Sequence, residues 1–154
     1  MTDLWSAVAT GRPAQARQAF FPLAAYQQLK AIYDPAADWN SRLMVDFRLD
    51  IRAAHQFLGR GAARTRLFSV LVPTAAGWVP PGTCFNSVGY WHVSGARLVY
   101  TDGGQVRSIG IASLISWRGR WYVVHFGAVL RDAVTGIVDQ PADGTGSLGD
   151  ASGC

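Results

Sequence analysis

Two turn signals near the C-terminal end restrict this chain more than anything else in it. Asp102-Gly103-Gly104 and Arg118-Gly119 each interrupt a run of β-type residues. Two-residue, Gly-containing loops between such runs mark tight hairpins. They predict three consecutive antiparallel strands at 96–101, 105–117 and 120–128. Residues 67–72 and 88–93 read as two further strands, separated by an irregular stretch from Pro73 to Asn86.

The first 58 residues follow another period. Trp39, Leu43, Phe47, Ile51, Ala54 and Leu58 recur every three or four positions, one apolar stripe of a helix. Asp34-Pro35 supplies an N-cap and first-turn proline, and Gly59 a C-terminal stop, so the helix should span 35–58. Shorter helices are expected at 3–9, 14–20 and 22–32, punctuated by Gly11, Pro13 and Pro22. The predicted fold is therefore α+β, with N-terminal helices packed on a C-terminal curved antiparallel β-sheet. It forms one domain over 1–131. Residues 132–154 are rich in Gly and Asp and read as a disordered tail.

Strand alternation turns this pattern into two faces. With two-residue loops, Leu98 pairs with Ile109, Ala96 with Ile111, Ile115 with Tyr122 and Ser113 with Val124. This apolar set suits the helix stripe. The other face collects Arg97, Val99, Ser108, Gly110, Ala112, Leu114, Val123 and His125, small residues around one Arg and one His, with Arg97 opposite Gly110, Val99 opposite Ser108, Ala112 opposite His125, Leu114 opposite Val123 and Ser116 opposite Trp121. Small side chains leave room on a sheet, so this second face is either a shallow site or plain solvent surface. A one-residue slip at either loop would exchange the two faces.

The candidate site follows from that register. His125 and His92 are the candidate catalytic groups, able to exchange a proton near neutral pH. Arg97, Ser108 and Tyr90 are the candidate ligand-binding groups, with Arg97 suited to an anion. Against this stands the plain reading of an exposed Arg and His on a wet sheet face. His55 borders the helix stripe and reads as structural. Asp46 and Asp50, amid Arg42, Arg48 and Arg52, read as a solvated ion-pair ladder. Cys84 reads as an inert thiol. No metal-ligand spacing or nucleophile motif is present, and no cofactor is implied.

Charge narrows the partners only slightly. All fourteen Lys and Arg lie at or before Arg131 with six of the ten acids, giving that part +8 and the remainder −4. The bases do not cluster, and Trp39, Trp117, Trp121 and Tyr122 fall at core positions. Nucleic acid is therefore not an expected partner. No apolar run reaches membrane-spanning length and no leader pattern opens the chain, so the expectation is cytoplasmic with no membrane partner.

The stretch Leu114-Ile115-Ser116-Trp117-Arg118-Gly119-Arg120-Trp121-Tyr122-Val123-Val124-His125 carries a resemblance. With Trp78-Val79-Pro80-Pro81-Gly82 and Gly89-Tyr90-Trp91-His92, it resembles a group of uncharacterised actinobacterial proteins over roughly residues 19–130. That resemblance implies a coherent family and no activity. The helices-then-sheet order is also similar to the NTF2-like, SnoaL-type α+β cone, which encloses a pocket. This chain departs from that pattern in having no helix between early strands and no Asp–His or Tyr–Asp set at matching positions. The expected function is a non-catalytic small-molecule-binding or accessory domain. The alternatives are an enzyme using His125 as general acid or base with Arg97 orienting an anionic substrate, and an interaction module or homodimer.

Overall fold

A computed structural model describes residues 1–149. Helices α1 (Thr2–Thr10), α2 (Leu23–Leu29) and α3 (residues 35–58) precede six strands. These are β1 (Arg66–Leu71), β2 (Gly77–Val79), β3 (Tyr90–Asp102), β4 (Gln105–Trp117), β5 (Arg120–His125) and β6 (Ala142–Asp143). The order is β1-β3-β4-β5, with β2 beside β3 and β6 beside β4, and every pairing is antiparallel. The sheet is curved and does not close. The fold is α+β.

The long helix forms as its pattern dictates. Asp34 caps it by accepting from the Ala37 N–H at 2.8 Å, and the chain leaves at Gly59 with a positive φ. Trp39, Leu43, Phe47, Ile51 and Ala54 are buried in one core cluster. Residues Trp39–Leu43 are wound as a π-helix within it, a local widening that often accompanies functional sites.

Two shorter helices differ from expectation. The segment expected as a helix over 14–20 is only a 3₁₀ turn at Pro13–Ala16. Pro22 disfavours helix at the residue before it, and Phe21 instead donates its N–H to the Val123 carbonyl at 3.0 Å. α2 stops at Leu29 because Lys30 turns extended and Ala31 donates to the Phe85 carbonyl at 2.8 Å.

Both hairpins turn through two residues of positive φ: Gly103 and Gly104 in one, Arg118 and Gly119 in the other. That is the turn geometry whose twist matches flanking strands. The predicted 88–93 and 96–101 strands merge into β3. Its register with β4 is the predicted one: Leu98 opposes Ile109, Arg97 opposes Gly110 and Val99 opposes Ser108.

The β4–β5 register starts as predicted, with Ser116 opposite Trp121, Ile115 opposite Tyr122 and Leu114 opposite Val123. It then shifts. Ser113 opposes His125, so the predicted pairs Ala112–His125 and Ser113–Val124 do not form. Val124 is an extra residue, a β-bulge, and a slip of one residue carries a side chain to the other face.

The inner face carries Tyr90, His92, Ser94, Ala96, Leu98 and Tyr100 of β3 with Ile109, Ile111, Ser113 and Ile115 of β4. The N-terminal segments cover it: Trp5 packs tilted against Tyr100 at 4.8 Å and Phe21 meets Tyr122 at 5.9 Å. The outer face carries Arg97, Val99, Ser108 and Gly110. Trp121, expected in the core, stands half-exposed beside Ser116 on that outer face.

The Gly- and Asp-rich stretch, expected to hang free from residue 132, packs on the sheet over its described part. β6 pairs with β4, where Arg107 opposes Asp143, and the Gly110 N–H donates to the Asp139 carbonyl at 2.7 Å. Gly110 permits this, since a Cβ there would lie 2.0 Å from the Asp139 carboxylate. Residues 150–154 lie outside the described residues.

The anchor for this crossing is Asp50, which is fully buried. It accepts from the Gly127 and Ile137 amides, each at 2.9 Å, and from both arms of Arg131 at 2.9 and 2.8 Å. Asp46 lies 3.4 Å from the same guanidinium. The predicted solvated ladder is thus corrected. Asp46 and Asp50 meet an Arg some eighty positions downstream, a partner that helix spacing cannot show.

Candidate functional site

α2, the π-helical start of α3 and the inner face of the sheet leave a cavity of about 400 Å³ between them. Its walls are largely apolar: Leu29 from α2, Leu43 from α3, and Ile115 and Val124 from the sheet, with Val129 and Leu130 at the rim. A few polar groups meet this space, the usual make-up of a small-molecule site.

The sheet supplies two histidines. His92 on β3 and His125 on β5 flank Ser113 on β4. His92 Nε2 lies 2.9 Å from Ser113 Oγ. Burial pushes His125 down to about pH 4, and Arg42, Arg131, Lys30 and His92 push the same way. Its ring is therefore neutral at pH 7. Tyr90 lines the same space, and burial raises its phenol.

The helices supply the opposite wall. The Tyr26 hydroxyl donates to Asp38, and Arg42 grips both oxygens of that carboxylate at 2.7 and 2.6 Å. Burial alone would raise Asp38, but the hydrogen bonds from Arg42 and Tyr26 outweigh it and hold the carboxyl below its usual value. Burial and the Asp38 bond raise Tyr26. Lys30 donates to the Cys84 carbonyl at 2.8 Å, and burial, then Arg42, lower its ammonium.

Of the residues singled out in the sequence, His125, His92 and Tyr90 share this cavity. Arg97 and Ser108 do not. They lie on the outer face, where Arg97 Nη2 donates to Ser108 Oγ at 2.7 Å. Arg97 is 1% exposed, and a Cβ on Gly146 would sit 2.4 Å from its guanidinium. The expected convergence of Arg97 and His125 in one hollow is thus corrected. The bulge at Val124 reversed the side on which His125 emerges.

Sequence reasoning missed Tyr26, Lys30, Asp38, Arg42 and Ser113. The signals were slight: Tyr26 and Lys30 are four apart, as are Asp38 and Arg42, spacings that put each pair on one helical face. Nothing local tied those pairs to the sheet. His55 is structural as read, its Nδ1 lying 2.9 Å from the Val8 carbonyl. Cys84, read as an inert thiol, is not a free cysteine.

Among the described residues no group of three or more His, Cys, Asp or Glu is placed to hold a metal ion. Among them, too, no helix is long and apolar enough to cross a membrane. No protein-family model matches the chain, and neither a curated protein nor a solved structure matches it.

Proposed function

We propose that the chain is a non-catalytic domain that binds a small, mainly apolar molecule between its helices and the inner face of its sheet. The observation that carries this reading is the cavity itself, about 400 Å³ of mostly apolar wall with a few inward polar groups. Most of those groups are already engaged. Tyr26 is bonded to Asp38, Arg42 to Asp38, and His92 to Ser113.

The Ser113–His92 contact has the form of a nucleophile and base, but its surroundings favour holding over reacting. Ser113 lies mid-strand with partners on both sides. The enzyme alternative that paired His125 with Arg97 is not favoured, since the sheet separates the two. Helices closing a pocket against a curved antiparallel sheet also support an NTF2-like reading of the fold.

The test uses a neutral solvatochromic dye such as Nile red. Its emission should rise on binding the wild-type chain, and Val124→Trp, which fills the cavity, should abolish the rise. Dye binding that survives Val124→Trp in a folded protein would sink the proposal.

A further inference from the structure

The cavity is not electrically neutral, and its imbalance names a ligand class. Resting on the binding reading above, we infer that the occupant is a monoanion with an apolar body, its charged group received between Lys30 and His125. An aromatic or branched aliphatic monocarboxylate is the class that fits.

The case begins with the charges that face this space. Lys30, just after α2, puts an ammonium at the wall with a carbonyl as its partner. Among the described residues no carboxylate forms an ion pair with it. Arg42 from α3 also faces in, but Asp38 neutralises it through two hydrogen bonds. Arg131, after β5, is neutralised by Asp50 and Asp46. Among the described residues that leaves one cation, Lys30, over.

His125 reports the same field. The basic groups that act on it are Arg42, Arg131, Lys30 and His92, from α3, the segment after β5, the segment after α2, and β3. Asp38 acts on Lys30 but only partly offsets Arg42 there. In an apolar, half-enclosed space such a field is weakly screened, so an entering anion gains more than it would at the surface. The neutral imidazole is left able to donate one hydrogen bond.

A consequence follows for protons. Burial first, and then the neighbouring bases, hold the proton off His125, and an anion beside it opposes both. The bound complex therefore takes up a proton more readily than the empty chain, and anion affinity rises as the solution is made more acidic.

Isothermal titration calorimetry with 2-naphthoate and 2-naphthamide tests this, because the two share a ring and differ by one charge. Naphthoate should bind the wild-type chain about tenfold more tightly at neutral pH. Lys30→Met should remove that advantage and leave naphthamide within about twofold, and Lys30→Arg should restore it. Naphthoate should also bind more tightly at about pH 5.5 than at about pH 7.5. If the amide binds as tightly as the acid, or if Lys30→Met weakens both alike, the anion assignment fails and the cavity reading stands. If neither compound binds at millimolar concentration, both fail.

Discussion

The two faces of the sheet each bury a basic group, and the chain treats them differently. On the outer face Arg97 is enclosed by the protein itself: Ser108 accepts from it, Gly146 lies against it, and burial lowers its guanidinium, an effect the nearby Asp139 charge only partly offsets. On the inner face His125 looks into open space, and Lys30 meets it from the facing wall. Both faces hold the ingredients of an anion site. Only one has kept the volume for a ligand. A basic residue on a sheet becomes a site when the rest of the chain leaves room over it, and strand pattern alone does not contain that information.

The hardest way to break this contrast is to release the segment that covers the outer face. Asp50 holds the crossing with a carboxylate shared among Gly127, Ile137 and Arg131. Asp50→Ala leaves the Gly127 and Ile137 amides without their acceptor and a largely buried guanidinium with only Asp46 and two carbonyls beside it. Loss of one partner from such a buried pair destabilises by about 3–5 kcal/mol. Urea unfolding should show a loss of that size, and a change near zero would mean that the outer cover is held by something else.

The inner face is tested by pH. The His125 pKa is about 4 in the folded chain, against 6.5 when unperturbed. Between those values the unfolded chain binds more protons. The stabilising contribution is therefore complete above about pH 6.5 and is lost as the solution is acidified towards about pH 4. The full difference is about 3–4 kcal/mol at one pKa unit per 1.4 kcal/mol. His125→Phe should flatten this part of the stability profile. If wild type and variant lose stability in parallel over that window, His125 is not a neutral ring in an apolar wall.

Much of the fold was legible in the sequence, because local rules governed it. The stripe from Trp39 to Leu58, the cap at Asp34 and the positive-φ turns at Gly103-Gly104 and Arg118-Gly119 each act over a few residues. They led to the right fold class and the right β3–β4 register. The site was legible only in part. His92, His125 and Tyr90 could be named, but the inserted Val124 carries no local signature, and it decided which face His125 joined. Asp50 and Arg131 failed for a related reason. Their meeting depends on a chain crossing that no spacing rule describes.

A smaller effect sharpens the outer-face half of the contrast. A Cβ at Gly110 would stand 2.0 Å from the Asp139 carboxylate, so Gly110→Ala must push the covering segment outward. Overpacking of this kind destabilises by about 1–3 kcal/mol. Hydrogen exchange should show faster exchange at the Gly110 amide, which donates to Asp139. Naphthoate affinity should stay where it was. Unchanged exchange would mean that the segment is not seated on the sheet at that point.

The smallest change asks whether the two faces are independent. Ser108→Ala removes the acceptor of Arg97 Nη2, while Arg97 Nε is already buried without one. The backbone of β4 is untouched, and Asp139 still lies near enough to favour the guanidinium's charge. The expected loss is about 1 kcal/mol, the lower end for a buried donor left unpaired. Ligand affinity should not move, because Arg97 and the cavity lie on opposite sides of the sheet. A shift in naphthoate binding of more than about threefold, with stability only slightly reduced, would mean that Arg97 acts on the inner site through β4. The division of the sheet into one filled face and one open face would then no longer explain where the ligand goes.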